Sequence, residues 1–257
     1  MKKLLYFLVA VFVLSACSND GVTSSKASKD KTVITVSAAA SLKVALNDIE
    51  KSYEKENKHV DLKFNYGASG ALAQQIKSGA PVDVFISAAN DKVEDLVKED
   101  KVNKQDTKQL LKNHLVIVSK DKLENMNALA SEQVQKIALG NPDLVPAGKY
   151  GKQALERANL YEKLKPKYVL AKDVRQVLTY VETGNVEAGI VYTSDLKARD
   201  KIKKVVTIED KMHDEIIYPA AIVKDTKHMK EARAFYEYLD TRQSIEVFEN
   251  AGFDRVK

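Results

Sequence analysis

The sequence predicts an α/β protein in which mainly parallel sheets are flanked by helices. Two observations predict it. From Lys31 onward short apolar strands alternate with amphipathic helices. Leu115-Val-Ile-Val118 is a continuous apolar run, the pattern of a strand covered on both faces. The length fits one large domain or two lobes, and no internal repeat stands out.

The elements follow in order. Thr32–Val36 reads as a strand. Leu42, Leu46, Ile49 and Tyr53 recur at steps of four, three and four, which gives a helix from Ser41 to about Asn57. Val60–Tyr66 is a second strand. Ala71, Leu72 and Ile76 mark a short helix, closed by Ser78-Gly-Ala-Pro81. Val82–Ile86 is a third strand, and Val93, Leu96 and Val97 a third helix. Beyond Leu115–Val118 come a strand at Ile137–Leu139, a helix at Tyr150–Asn159 and a strand at Tyr168–Leu170. Val174, Val177, Leu178 and Val181 form a helix ended by Gly184. Ala188–Tyr192 and Val205–Ile208 are strands, and Ile216–Val223 is a long apolar strand interrupted by Pro219. Two amphipathic helices finish the chain, around Met229–Leu239 and Ser244–Asn250.

The N-terminus is an export device. Lys2 and Lys3 precede an 11-residue apolar run, Leu4–Leu14, followed by Ser15, Ala16 and Cys17. The run is too short to span a bilayer, which takes about 20 apolar residues. A basic start, an apolar middle and a small-residue end make a secretory signal. Leu-Ser-Ala-Cys resembles a bacterial lipobox, which predicts a signal peptide over residues 1–16 and lipidation of Cys17 as the mature N-terminus. The protein is then expected outside the cytoplasm, anchored to the cell membrane by that lipid. Residues 17–31, poor in apolar side chains, are expected to form a disordered tether. A flexible chain of that length reaches roughly 20 Å.

Composition excludes several classes. Cys17 is the only cysteine, so no disulfide framework holds the exported part. Loss of Lys2 and Lys3 leaves 39 basic against 36 acidic residues, a net charge of +3. That balance is too weak for a nucleic-acid partner. The four histidines, at 59, 114, 213 and 228, show no metal-ligand spacing. No phosphate-loop or dinucleotide fingerprint is present.

Two strand-to-helix junctions share a grammar: Val36-Ser-Ala-Ala-Ala-Ser41-Leu42 and Tyr66-Gly-Ala-Ser69-Gly-Ala-Leu72. Small residues let an object approach the backbone, and the first helical N–H groups lack internal partners and sit at the positive end of the dipole. With a Ser hydroxyl they make an anion site that needs no Lys or Arg. Either Ser alone reads more readily as an N-cap, worth about 1 kcal/mol with no ligand at all. Three further segments open helices or end strands: Gly140 to Tyr150, Ala171-Lys-Asp-Val-Arg175, where Asp173 is a ready N-cap, and Gly189-Ile-Val-Tyr192-Thr-Ser-Asp195.

Taken together, Ala-Ala-Ala-Ser-Leu at 38–42, Pro-Val-Asp-Val-Phe-Ile-Ser-Ala at 81–88, Gly-Asn-Pro with Val-Pro-Ala-Gly at 140–148, Asp-Val-Arg at 173–175 and Gly-Ile-Val-Tyr at 189–192 resemble the ModA family of molybdate-binding proteins. The likeness runs from about Lys31 to the Ala-Gly-Phe near the C-terminus. It implies the two-lobed clamshell of the type II periplasmic-binding-protein fold, with lobe 1 at 32–113 plus 219–257 and lobe 2 at 114–218. It also implies a receptor that delivers molybdate, or tungstate, to an ABC permease and its ATPase. The family's ligand positions fall on Ser41 and Ser69 (hydroxyl and N–H), the N–H groups of Ala147 and Val174, and the Tyr192 hydroxyl. The metal would be held only as its oxyanion, with no cofactor, no catalysis and a monomeric protein. Arg175, beside the site in sequence, is expected not to touch the anion. Around Ser69 the chain reads Gly-Ala-Ser-Gly-Ala, where some relatives are richer in Ser.

The rivals are a binding protein of the same fold for sulfate, phosphate or another small anion, and a serine-dependent hydrolase. Gly-Ala-Ser69-Gly lacks the spacing of a nucleophile elbow. Ser194-Asp-Leu-Lys197 matches Ser-x-x-Lys, but its partner motifs are absent. Replacing Ser41 and Ser69 by Ala is expected to weaken binding and leave the fold intact, both being placed at surface helix starts. A two-strand hinge is expected near 113–118 and 215–220.

Overall fold

The computed structural model describes residues 31–121, 123–197, 202 and 204–256. The signal peptide, Cys17 and all but the last residue of the tether lie outside the described residues.

Two sheets organise the chain from Lys31 on. The first holds β1 (Thr32–Ala39), β2 (Val60–Gly67), β3 (Val84–Ile86), β4 (Val102–Lys112), β10 (Ile217–Val223) and β11 (Asp254–Arg255), in the order β11-β4-β10-β3-β1-β2. The second holds β5 (Leu115–Ser119), β6 (Ile137–Gly140), β7 (Tyr168–Ala171), β8 (Ala188–Tyr192) and β9 (Lys204–Thr207), in the order β7-β6-β8-β5-β9. The helices are α1 (Lys43–Glu56), α2 (Ser69–Lys77), α3 (Asn90–Lys98), α4 (Pro146–Arg157), α5 (Tyr161–Leu164), α6 (Val174–Thr183), α7 (Met229–Tyr238) and α8 (Arg242–Asn250).

Each sheet is parallel in one half only. Strands β2-β1-β3 and β7-β6-β8 are parallel, while β10, β4 and β11, and β5 and β9, pair antiparallel. The parallel halves carry the strand–helix alternation that the sequence displays. The antiparallel halves arise because β4, β5 and β10 carry the chain between the sheets with no crossover helix, so they run back along their neighbours. The chain crosses at Asn113 and His114, and returns between Thr207 and Ile217. The Asn113 N–H donates to the Ile216 carbonyl at 3.2 Å, which ties the two crossings together.

Periodicity does its expected work in the helices. In α1, Leu46, Ile49 and Tyr53 are buried, and Tyr53 packs edge-on to Phe235 of α7 at 5.2 Å. In α6, Val174, Val177, Leu178 and Val181 are buried, and Gly184 ends the helix in the left-handed region at φ 75°. Strand β5 is buried throughout, as its apolar run requires.

Strand β4 carries no readable strand signal. Its sequence, Val-Asn-Lys-Gln-Asp-Thr-Lys-Gln-Leu-Leu-Lys, is mostly polar, and its burial does not alternate. The pairing with β10 shifts register between Tyr218 and Pro219 and again between Ala221 and Val223. Each irregularity breaks the two-residue period on which a strand reading depends. The expected helix at Ser41 begins as a 3-10 turn, Ala40–Leu42, and only then becomes α1.

Candidate functional site

In-register pairing builds the first half of the site. Strands β1 and β2 run parallel with Ala39 opposite Gly67, so both end at the same level. Two residues beyond each end stands a serine: Ser41 in the 3-10 turn before α1, and Ser69 as the first residue of α2. Pairing of β6 with β7, Gly140 opposite Ala171, builds the second half in the same way. Ala147 is the second residue of α4, after Pro146, and Val174 is the first residue of α6. Tyr192 closes β8.

All five line one cavity, together with Ala39, Ala40, Gly67, Ala68, Ala88, Val145 and Pro146. Its free volume is about 10 Å³, room for about one water and far below the ~300–1,000 Å³ of pockets for organic ligands. None of these lining residues is charged. The N–H groups of Ser69, Ala147 and Val174 belong to first helical turns, where no preceding carbonyl is available to them. Three helix N-termini and one 3-10 turn therefore present positive ends to the same small space.

The serines are not caps. The cap positions are Ala39, Leu42 and Ala68, and none of them makes a side-chain capping bond. Instead each serine oxygen is engaged from behind. The Ala88 N–H donates to Ser69 Oγ at 2.9 Å, and Ser41 Oγ lies 2.9 Å from the Tyr218 hydroxyl. Of the junction residues at this site, Asp173 does cap, its Oδ1 accepting from the Gln176 N–H at 2.9 Å. The expectation that Ser41 and Ser69 sit at surface helix starts is overturned: they are 4 % and 0 % exposed. The junctions are covered because the helices of the second sheet pack across them.

Tyr192 is 1 % exposed, and its hydroxyl has no hydrogen-bond partner among the described residues. A buried unpaired hydroxyl costs roughly 1–3 kcal/mol, so it marks a place where a partner belongs. Burial, helped by the nearby Tyr218 hydroxyl, raises its pKa well above the ordinary tyrosine value. The phenol thus stays protonated and able to donate. Its backbone N–H donates to Asp195 Oδ2 at 3.1 Å.

Contacts beyond the cavity lining hold the two halves close. The Gly70 N–H donates to the Leu144 carbonyl at 3.0 Å. A Cβ on Gly70 would lie 2.6 Å from that oxygen, so only glycine permits the approach. Lys149 of α4 pairs with Asp91 of α3 at 3.1 Å. Arg175 is half-buried and is not among the lining residues; its charge instead lowers the pKa of Tyr66, which burial otherwise raises.

Sequence reasoning missed Tyr218, Asn113 and Ala88. A Tyr beside Pro219 in an apolar strand is a faint signal for the first; Ala88 ends the 81–88 motif with no role of its own assigned, and Asn113 shows none. The Ser-x-x-Lys match does not assemble. Ser194 is buried and accepts from Asn113 Nδ2 at 2.8 Å, whereas Lys197 is exposed. Among the described residues no cluster of His, Cys, Asp or Glu could hold a metal ion, and no helix is long and apolar enough to cross a membrane.

Comparison with known proteins agrees with this architecture. Residues 34–254 match the bacterial extracellular solute-binding protein family, and residues 1–18 match the prokaryotic membrane lipoprotein lipid attachment site. The chain is 46 % identical over 250 residues to the lipoprotein YvgL of Bacillus subtilis, covering 96 % of this chain and 95 % of that one. It is 37 % identical over 234 residues to the molybdate-binding protein ModA of Escherichia coli, covering 87 % and 90 %. The periplasmic molybdate-binding protein of Azotobacter vinelandii has the same fold, with a TM-score of 0.82 at 24 % identity over 87 % of this chain and all of that one. The chain therefore belongs to the bacterial extracellular solute-binding proteins of the ModA type, lipid-anchored outside the cytoplasm and not enzymes.

Proposed function

We propose that the protein is the molybdate receptor of an ABC importer. It takes one oxyanion between two lobes, residues 32–113 plus 219–257 and residues 114–218, and presents the closed form to a membrane permease and its ATPase. The observation that supports this most is the donor set. Ser41, Ser69, Ala147, Val174 and Tyr192 line one small cavity with no charged residue in its wall, and the hydroxyls of Ser41, Ser69 and Tyr192 with the N–H groups of Ser41, Ser69, Ala147 and Val174 are the donors this reading assigns to the anion.

Such a set suits an ion that arrives without protons. Hydrogen phosphate carries one, which would find poor acceptors here because both serine oxygens already serve protein groups. Against sulfate, which is also a dianion, discrimination rests on cavity size. Molybdate and tungstate are nearly alike in size, so both are expected to bind. In mechanism, the anion draws the lobes together by satisfying donors from both, which shifts the population toward the closed state. The protein acts as a monomer, with the Cys17 lipid holding it at the membrane and no cofactor.

The test is a melting-temperature panel on the detergent-solubilised full chain, freed of co-purified anion, with molybdate, tungstate, sulfate and phosphate. Ligand at a thousand times Kd adds about 4 kcal/mol, or roughly 8–16 °C for a chain of this size. A rise with molybdate and tungstate alone supports the reading. A rise with sulfate or phosphate in their place overturns the choice of ligand, and no rise with any overturns the anion site.

A further inference from the structure

Ser41 has two neighbours, the cavity and Tyr218, and its hydroxyl has one proton. Which way that proton points decides whether Ser41 can serve an anion. The answer is set by residues outside the cavity wall. Asn113 Oδ1 accepts from the His114 N–H at 2.9 Å, so the amide orientation is settled by a backbone donor. Both hydrogens of Asn113 Nδ2 are then directed elsewhere, to Ser194 Oγ at 2.8 Å and to the Tyr218 oxygen at 3.2 Å. The Tyr218 oxygen is thereby an acceptor from Asn113. We assign its own proton to Ser41 Oγ, 2.9 Å away, a pair in which distance alone lets either oxygen donate. With that assignment Ser41 accepts from Tyr218 and keeps its hydroxyl proton free for the cavity.

We propose that Tyr218 is a positioning residue that fixes the donor direction of Ser41, under orders from Asn113, and that this one-way chain of hydrogen bonds couples the anion site to the crossings between the two sheets. Asn113 occupies the first crossing, and Tyr218 lies one residue after the second enters the first sheet. Ser194, at the other end, is two residues past Tyr192. The chain Ser41–Tyr218–Asn113–Ser194 therefore joins the donor turn of the first sheet to the strand end that carries Tyr192. All four residues are buried, so water does not compete for these bonds. The ring of Tyr218 is held independently, edge-on to Tyr192 at 5.8 Å and to Phe253 at 5.3 Å. Replacing Tyr218 by Phe thus removes the hydroxyl and keeps the packing.

This inference rests on the anion reading of the site, and the experiment separates the two. Sodium molybdate is titrated calorimetrically into detergent-solubilised full-length wild type, Tyr218→Phe, Ser41→Ala and the double variant. Loss of one net hydrogen bond predicts roughly 3- to 10-fold weaker binding for Tyr218→Phe. In the Ser41→Ala background the same change is expected to cost less than about twofold, because the proton it directs is gone. Equal losses in both backgrounds, or no loss in either, overturn the inference while leaving the site reading in place. No molybdate binding by wild type overturns both. Should Tyr218→Phe not fold, Asn113→Asp supplies a second route. Its carboxylate would take the Tyr218 proton and turn Ser41 around, so its loss of affinity is expected to shrink when Ser41 is absent; an undiminished loss counts against the proposal.

Discussion

Removing the Tyr192 hydroxyl should cost affinity and leave the ligand-free stability nearly unchanged. In the closed form that hydroxyl is buried with no protein partner among the described residues, whereas in the open form that precedes binding it faces water, so Tyr192→Phe costs the ligand-free protein little. The ring stays, with its edge-on contact to Tyr218 at 5.8 Å. The ligand-free Tm is expected to stay within about 2 °C of wild type. With the anion bound, the same change deletes a hydrogen bond to a charged group, worth roughly 1.5–3 kcal/mol. That corresponds to molybdate binding weaker by roughly 10- to 150-fold. The assay pairs calorimetric titration of molybdate with a melting curve of the ligand-free protein. Affinity within twofold of wild type refutes the assignment of Tyr192 as a donor. A ligand-free Tm that falls by several degrees shows that the hydroxyl supports the fold, and the loss of affinity would then be structural.

Other perturbations probe other parts of the site. Ser69→Ala should weaken molybdate binding and also lower the ligand-free Tm, because the buried Ala88 N–H loses its acceptor at a cost of roughly 1–3 kcal/mol; an unchanged melting curve would contradict the geometry. Gly70→Ala places a Cβ 2.6 Å from the Leu144 oxygen, so the halves should fail to close on molybdate. Small-angle scattering would show a radius of gyration that no longer contracts with ligand; contraction as in wild type would count against it. His114 lies between Asp210 at 2.9 Å and Asp254 at 2.7 Å. Burial lowers its pKa, but the two carboxylates outweigh burial and the net shift is upward. A raised folded-state pKa means the stabilisation is complete below the unfolded value of about 6.5 and is lost as pH rises through the folded value. Melting curves from pH 5 to 9 should therefore decline on the alkaline side more steeply in wild type than in His114→Gln, and parallel curves would refute the link.

Much of this protein is legible in one dimension. Helix and strand periods place α1, α6, α7 and α8 and most of the strands, because each buries a stripe whose spacing is a property of local backbone geometry. The small-residue junctions, the lipobox and the family pattern likewise need only neighbours in sequence. Strand β4 was not legible, since its partners come from residues 217–223 and 254–255 and its bulges erase the two-residue period. The burial of Ser41 and Ser69 was not legible either, because what covers them, Val145–Ala147, Val174 and Tyr192, lies far along the chain. Above all, the roles of Tyr218 and Asn113 were invisible. The direction of a hydroxyl proton depends on which donors already point at its oxygen, and these lie 177 and 105 positions apart along the chain. Local chemistry wrote the donors into the sequence; only the meeting of two sheets decided which way they face.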